Sequence, residues 1–120
     1  MHTVIQKFIE TADAQKRPHT ITDGRFIAGG VTLEADPSCE SDDPAEFRLS
    51  WPQTADFSED LTYSMMLLIF TLGKGYDDDG LMARIGQHLS RGNRFSETRG
   101  GWIVSSFISD GRCHLHTTKS

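Results

Sequence analysis

Residues 102–117, WIVSSFISDGRCHLHT, give the clearest structural signal in the chain because they predict a β-hairpin with a defined turn and register. Two strand-like runs flank Asp110-Gly111, a dipeptide that favours two-residue hairpin turns. Such a turn places every second residue on the same face of both strands. The predicted pairs are Ile108 with Cys113, Ser106 with Leu115, and Val104 with Thr117. Trp102 joins this face, which we assign to the core.

The opposite face of the same hairpin carries Ile103, Ser105, Phe107, His114 and His116. The two histidines lie at i and i+2 on one strand, so they point to the same side about 7 Å apart. Zinc and copper sites use this spacing. A third ligand would have to come from another histidine or an acid, with His2, His19 and His88 as candidates. Polar residues on a solvated sheet face explain the pair equally well, so His114 and His116 are weak metal candidates and no cofactor is expected.

Three helices are predicted from apolar residues that recur at helical spacing. Thr3 is a plausible N-cap for the first, and Ser58 for the second, whose body is apolar on nearly every side. A helix of that kind is normally covered on most sides, which predicts a central core helix. Gly73 and Gly92 are suited to end the second and third helices. The predicted ranges are 3–14, 59–73 and 79–91.

The remaining segments predict strands and loops. Residues 19–34 contain two turn signals, Asp23-Gly24 and Gly29-Gly30, which predict a meander or a hairpin with a lead-in strand. Residues 46–51 alternate apolar and polar residues, as a half-buried strand does. The sequence therefore predicts one α+β domain, residues 1–120, in two layers: an antiparallel sheet of about five strands on two to three helices, in the order α-β-β-β-α-α-β-β. The predicted core is Phe8, Ile27, Leu33, Phe47, Leu49, Met66, Ile69, Phe70, Ile85, Leu89, Trp102, Val104 and Leu115.

The charges are separated along the chain, although the net charge is only −5. Residues 34–79 contain twelve acids and two basic residues, whereas residues 80–120 contain six basic residues and two acids. Separated charge on a small domain steers and orients charged partners. We therefore predict an acidic surface that binds a partner protein with a basic surface, helped by apolar contacts on the exposed hairpin face. The predicted partner-binding residues are Glu40, Asp42, Asp43, Asp56, Asp77, Asp78, Asp79, Ile103 and Phe107.

Several functional classes are disfavoured by the composition. An acidic protein repels phosphates, so binding to nucleic acid or to anionic membranes is not expected. Arg91, Arg94 and Arg99 flank Phe95 in a predicted loop, and arginines beside aromatic residues can bind single strands, but seventeen acids oppose this. The longest apolar segment is shorter than the roughly 20 residues that a bilayer requires. Two cysteines distant in sequence, Cys39 and Cys113, favour free thiols in a reducing cytoplasm over a disulfide.

Residues 81–117 resemble the middle of type III secretion chaperones. The resemblance consists of a helix with spaced aliphatic residues, an Asn, a Gly-Gly-aromatic strand start and an Asp-Gly hairpin. The matching residues are Leu81, Ile85, Leu89, Asn93, Gly100-Gly101-Trp102, Asp110-Gly111 and Leu115. The resemblance implies a small acidic protein that escorts another protein.

The preferred functional prediction is a small cytoplasmic protein-binding module without catalysis, which inhibits, neutralises or escorts a partner as immunity proteins and phage-encoded inhibitors do. A secretion chaperone and a metal-dependent enzyme using His114 and His116 are the alternatives. No order of Ser, His and Asp and no Cys-His arrangement typical of a nucleophile is recognisable. A homodimer through a free edge of the last strand, residues 113–118, is a further expectation.

Overall fold

The structure is a computed structural model that describes residues 3–35, 46–53, 57–73 and 80–120, with only the backbone described for residues 3 and 57–61. Three helices and seven strands follow one another in these segments. They are α1 (Thr3–Ala14), β1 (Thr20–Thr22), β2 (Arg25–Ala28), β3 (Val31–Ala35), β4 (Glu46–Pro52), α2 (Phe57–Leu72), α3 (Leu81–Ser90), β5 (Phe95–Arg99), β6 (Trp102–Ser109) and β7 (Arg112–Lys119).

The strands form one antiparallel sheet in the order β1-β2-β3-β4-β7-β6-β5, and the helices pack on one side of it. This confirms the predicted α+β class and its two layers. The sheet has seven strands rather than about five, because residues 19–35 form a full three-stranded meander and β5 was not predicted. We predicted a loop around Arg91–Arg99, but Phe95–Arg99 pairs with β6. Phe95 is the only apolar residue of β5, so no apolar alternation indicated a strand.

The hairpin formed by β6 and β7 has the predicted register. Ile108 pairs with Cys113, and the strand pairing continues to Trp102 and Lys119. Asp110 and Gly111 both have positive φ, 54° and 73°, as a type I′ turn requires. The right-handed twist of this turn matches that of the two strands, which is why the dipeptide set the register so well.

The predicted free edge at residues 113–118 is wrong, and with it the homodimer through that strand. β7 lies inside the sheet, paired with β6 on one side and with β4 on the other over Glu46–Pro52. Leu49 pairs with Leu115, so the apolar alternation of both strands faces the same side. Pairing the two strands buries both residues completely, which explains why β4 pairs with the side of β7 that was predicted to be free.

The core lies between the sheet and the helices. Phe8 of α1 packs edge-on against Phe26 of β2 and stacks on Tyr63 of α2, with ring centroids 5.6 Å apart in both cases. At the other end, Arg84 of α3 donates two hydrogen bonds to the Glu97 carboxylate of β5, at 3.0 and 3.1 Å. Nine of the thirteen predicted core residues are buried: Phe8, Leu33, Phe47, Leu49, Ile85, Leu89, Trp102, Val104 and Leu115.

Four core predictions need correction. Phe26, not Ile27, faces the core, because Phe26 pairs with buried Leu33 and adjacent strand residues face opposite sides. Met66 is only partly buried. Ile69 and Phe70 are 42% and 36% exposed. The helix that carries them, α2, lies on the outside of a two-layer domain, so only its inner face meets the sheet although it is apolar nearly all round.

The helices end at or next to the predicted stop signals, whereas the predicted N-caps Thr3 and Ser58 lie within α1 and α2. Gly73, with φ of 55°, directly follows α2, and Gly92, with φ of 70°, follows α3. The amides of Gly92 and Asn93 donate to the carbonyls of Leu89 and His88, which satisfies the last turn of α3. Of the helices that the structure describes, none combines the length and apolar character needed to cross a membrane.

Candidate binding face of the sheet

The side of the sheet opposite the helices, called the open face below, presents side chains in rows that cross several strands. One row follows the pairing Ser96–Ser105–His116–Arg48–Glu34 through β5, β6, β7, β4 and β3. The next row follows Phe107–His114–Ser50–Thr32. Paired residues on one face have Cβ atoms about 5 Å apart, so each row is a continuous line of contacts. Because the β7–β4 pairing joins residues more than 60 positions apart along the chain, only folding assembles the complete rows.

An aromatic ridge lies on the open face at β6 and β7, toward the edge strand β5. The rings of Phe107 and His114 stack with centroids 4.8 Å apart and an interplanar angle of 10°. His116 meets Phe107 edge-on at 5.0 Å. The guanidinium carbon of Arg94, which precedes β5, lies over the Phe107 ring at 5.0 Å from its centroid. Phe107 is therefore held by ring contacts with both histidines of β7 and by a cation–π contact with Arg94.

A charged network adjoins the ridge. The Nε of Arg48 lies 3.8 Å from a carboxylate oxygen of Glu34 and 3.8 Å from one of Glu46. The same Glu46 oxygen lies 3.9 Å from Nδ1 of His116. Burial, followed by the charges of His114 and Arg48, lowers the pKa of His116 from 6.5 to about 4. His116 is therefore neutral at pH 7, and Arg48 supplies the positive charge of this network.

Two hollows flank the ridge. The first, called the serine hollow below, has a cavity volume of about 360 Å³ and is lined by Arg94, Phe95, Ser96, Ser105, Ser106, Phe107 and His116. Ser96 and Ser105 are small paired residues, which leaves a depression beside the larger ridge residues. The second hollow, about 280 Å³, carries mixed charge: Glu34 and Asp110 line it together with Arg48 and Arg112.

The structure brings some predicted site residues together and leaves others aside. Ile103 and Phe107 are half-buried on the open face, on the same strand as predicted. All the acidic residues predicted to bind the partner lie outside the described residues: Glu40, Asp42, Asp43, Asp56, Asp77, Asp78 and Asp79. The acidic surface therefore stays a prediction. Cys113 is buried on the core face, and Cys39 lies outside the described ranges.

His114 and His116 share a face, as predicted, with ring centroids 6.0 Å apart. Two candidate third ligands lie elsewhere, since His19 stacks on the core residue Phe26 and His88 of α3 packs against Phe95. The third candidate, His2, lies outside the described residues. Within the described segments, no three His, Cys, Asp or Glu side chains are grouped so that they could hold a metal ion. The described part of the chain thus gives the metal hypothesis two ligands and no third.

Folding also brings together three residues that sequence reasoning did not connect. Ser105 pairs with His116, whose Nδ1 lies 3.9 Å from a Glu46 oxygen. This has the composition of a nucleophile, a base and an acid. However, a base works best when its pKa is near the working pH, and the pKa of His116 is lowered to about 4. The group is therefore poorly suited to activate Ser105 at neutral pH.

No protein-family model, curated protein or solved structure matches this chain. The resemblance of residues 81–117 to type III secretion chaperones stays a prediction.

Proposed function

We propose that this chain is a non-catalytic protein-binding module of the cytoplasm that engages its partner with the open face of the sheet, and thereby inhibits, neutralises or escorts it. One observation supports this most strongly. The three described helices contact the core side of the sheet, while half-buried Ile103 and Phe107 lie on the other side, on β6 next to the edge strand β5. Aromatic residues and arginines are enriched at the centre of protein interfaces.

The shape of the open face favours a protein over a small molecule as the ligand. Small-molecule sites are concave and enclose most of their ligand. The open face instead offers a ridge with a hollow on each side, spread over β4, β5, β6 and β7. A surface of this kind gains affinity from a broad contact with a few anchoring side chains. Phe107 is the natural anchor because its neighbours already hold its ring in place.

The predicted acidic surface gives this proposal a second part. Asp42 and Asp43 would attract a basic surface of the partner and speed association, since long-range charge acts mainly on the association rate. Reversing both, Asp42→Lys and Asp43→Lys, should slow association and reduce its dependence on salt concentration.

Site-specific photo-crosslinking tests the proposal. A benzophenone amino acid placed at position 103 or 107 should capture the same protein from a lysate of the source cells. The matched control carries the same group at Gln87, an exposed residue of α3 on the helix side. A protein captured from both open-face positions but not from position 87 supports the proposal once the purified protein binds the wild-type chain. Capture from position 87 alone contradicts it.

Catalysis by Ser105 is the competing outcome on this same surface. A fluorophosphonate probe labels a serine that an adjacent base activates. Labelling of the wild-type protein that disappears in Ser105→Ala would contradict the non-catalytic proposal. An unlabelled wild-type protein agrees with the low pKa of His116.

A further inference from the structure

We propose that the serine hollow binds a carboxylate side chain, Asp or Glu, of the partner protein. The inference rests on the proposed function, because it names the chemical group that the partner places on the open face. Three features support it: the charge of Arg94, the hydrogen-bond donors that line the hollow, and the Phe107 ring, which His114 and Arg94 already cover.

Arg94 differs from Arg48 and Arg112 of the open face. Arg48 lies between the carboxylates of Glu34 and Glu46, at 3.8 Å from each. Arg112 donates hydrogen bonds to the Gly30 carbonyl and the Ser50 hydroxyl, at 2.8 and 3.1 Å. Within the described part of the chain, Arg94 faces the Phe107 ring and has no carboxylate partner. Its charge is thus available to an anion from outside.

The lining of the serine hollow suits a carboxylate. The guanidinium group of Arg94 presents a planar fork of N–H donors that matches the two oxygens of a carboxylate. The hydroxyls of Ser96 and Ser105 can donate to the same group. Among the residues that the structure describes, no acid lines this hollow, whereas Glu34 and Asp110 line the hollow on the other side of the ridge.

The surroundings favour a protein carboxylate over the phosphates of a nucleic acid. Phe107 already has His114 stacked on it and Arg94 over its ring, which leaves little of that ring for stacking a base. A strand that continued from the hollow across the sheet would place its next phosphates near Glu34 and Glu46. His116 is neutral at pH 7 and adds no positive charge. A single carboxylate needs only the hollow itself.

Titrations followed by heteronuclear NMR test the inference on the full chain. The probe is an acetylated and amidated Ala-Glu-Ala peptide, and the matched neutral probe is Ala-Gln-Ala. The Glu peptide should shift the Arg94 side-chain Nε–H signal and the amides of Ser96 and Ser105, and the shifts should saturate. Arg94→Gln should weaken this binding by about tenfold or more, since a charge-assisted hydrogen-bond pair is lost. Arg91→Gln, which changes an exposed arginine outside the hollow, should leave it unchanged.

Equal shifts with the Glu and Gln peptides would overturn the inference, and so would equal affinity of the Arg94→Gln and wild-type proteins for the Glu peptide. Tighter binding of an oligothymidylate than of the Glu peptide would also overturn it. Acetate and inorganic phosphate serve as further arms, and a preference for phosphate over acetate at equal charge would also contradict a carboxylate site. The proposed function fails separately. If positions 103 and 107 crosslink the partner but Arg94→Gln does not change binding of the Glu peptide, only the carboxylate site is rejected. If the Glu peptide binds but neither position crosslinks a partner, the docking surface is rejected.

Discussion

Lowering the pH from about 7 to about 4.5 is expected to destabilise the protein through His116. Burial, His114 and Arg48 lower the pKa of His116 from 6.5 to about 4 in the folded protein. Between these values the unfolded chain binds more protons than the folded one, so stability falls as the pH falls through this window. A difference of one in pKa corresponds to about 1.4 kcal/mol, so the full difference would correspond to roughly 3 kcal/mol.

Solvent screening reduces this value. The side chain of His116 is 24% exposed, so we expect a loss of about 1–2 kcal/mol in the free energy of unfolding by pH 4.5. The assay is urea unfolding at both pH values for the wild type and for His116→Gln, which has no imidazole to titrate. The difference between the losses of the two proteins in the free energy of unfolding removes the contribution of carboxylate titration, which both proteins share.

An NMR titration of the imidazole signals measures the same pKa directly. His114→Gln removes the second cause and should raise the pKa of His116. An imidazole of His116 that titrates near 6.5, together with equal acid losses in the wild type and His116→Gln, would refute the reasoning.

Four substitutions elsewhere test the packing, each by urea unfolding at neutral pH. Gly30→Ala should destabilise by about 1–3 kcal/mol, because the added Cβ would lie 2.8 Å from two ring carbons of Pro52; a neutral result would contradict this close approach. Gly86→Ala in α3 is its control and should stabilise by roughly 0.5–1 kcal/mol, since nothing lies within 4 Å of the added methyl group. Leu115→Ala should lower the free energy of unfolding by about 2–5 kcal/mol, because the side chain is fully buried and its strand, β7, lies between β4 and β6; a smaller loss would contradict an interior position of β7. Thr117→Val should stabilise by about 1 kcal/mol, because its buried hydroxyl lacks a hydrogen-bond partner in the described structure; destabilisation would reveal a partner.

Local signals in the sequence predicted most of the elements, and non-local pairing determined what the sequence did not predict. The Asp110-Gly111 turn defined the register of β6 and β7 because its geometry depends on two residues alone. Nothing local to β7 indicated that it pairs with β4, more than 60 positions earlier. The edge strand β5 lacked a signal for another reason: most of its residues are polar, as edge strands often are.

The candidate site divides in the same way. Ile103, Phe107, His114 and His116 could be placed on one face, since they lie on two strands of a single predicted hairpin. The sequence did not connect Arg48 and Arg94 with these four residues. Arg48 reaches the face because β4 pairs with β7, and Arg94 reaches it from the turn before β5. The depressed pKa of His116 was equally hidden, since its largest cause is burial in the folded sheet.

The affinity of the purified partner for two matched variants tests the central proposal most directly. Phe107→Ser removes the anchor of the open face, and Gln87→Ser changes an exposed residue on the helix side. Hot-spot aromatic residues typically cost 2 kcal/mol or more when truncated, so Phe107→Ser should weaken binding by roughly thirtyfold, while Gln87→Ser should not change it. Equal affinities of both folded variants and the wild type would contradict a partner docked on the open face.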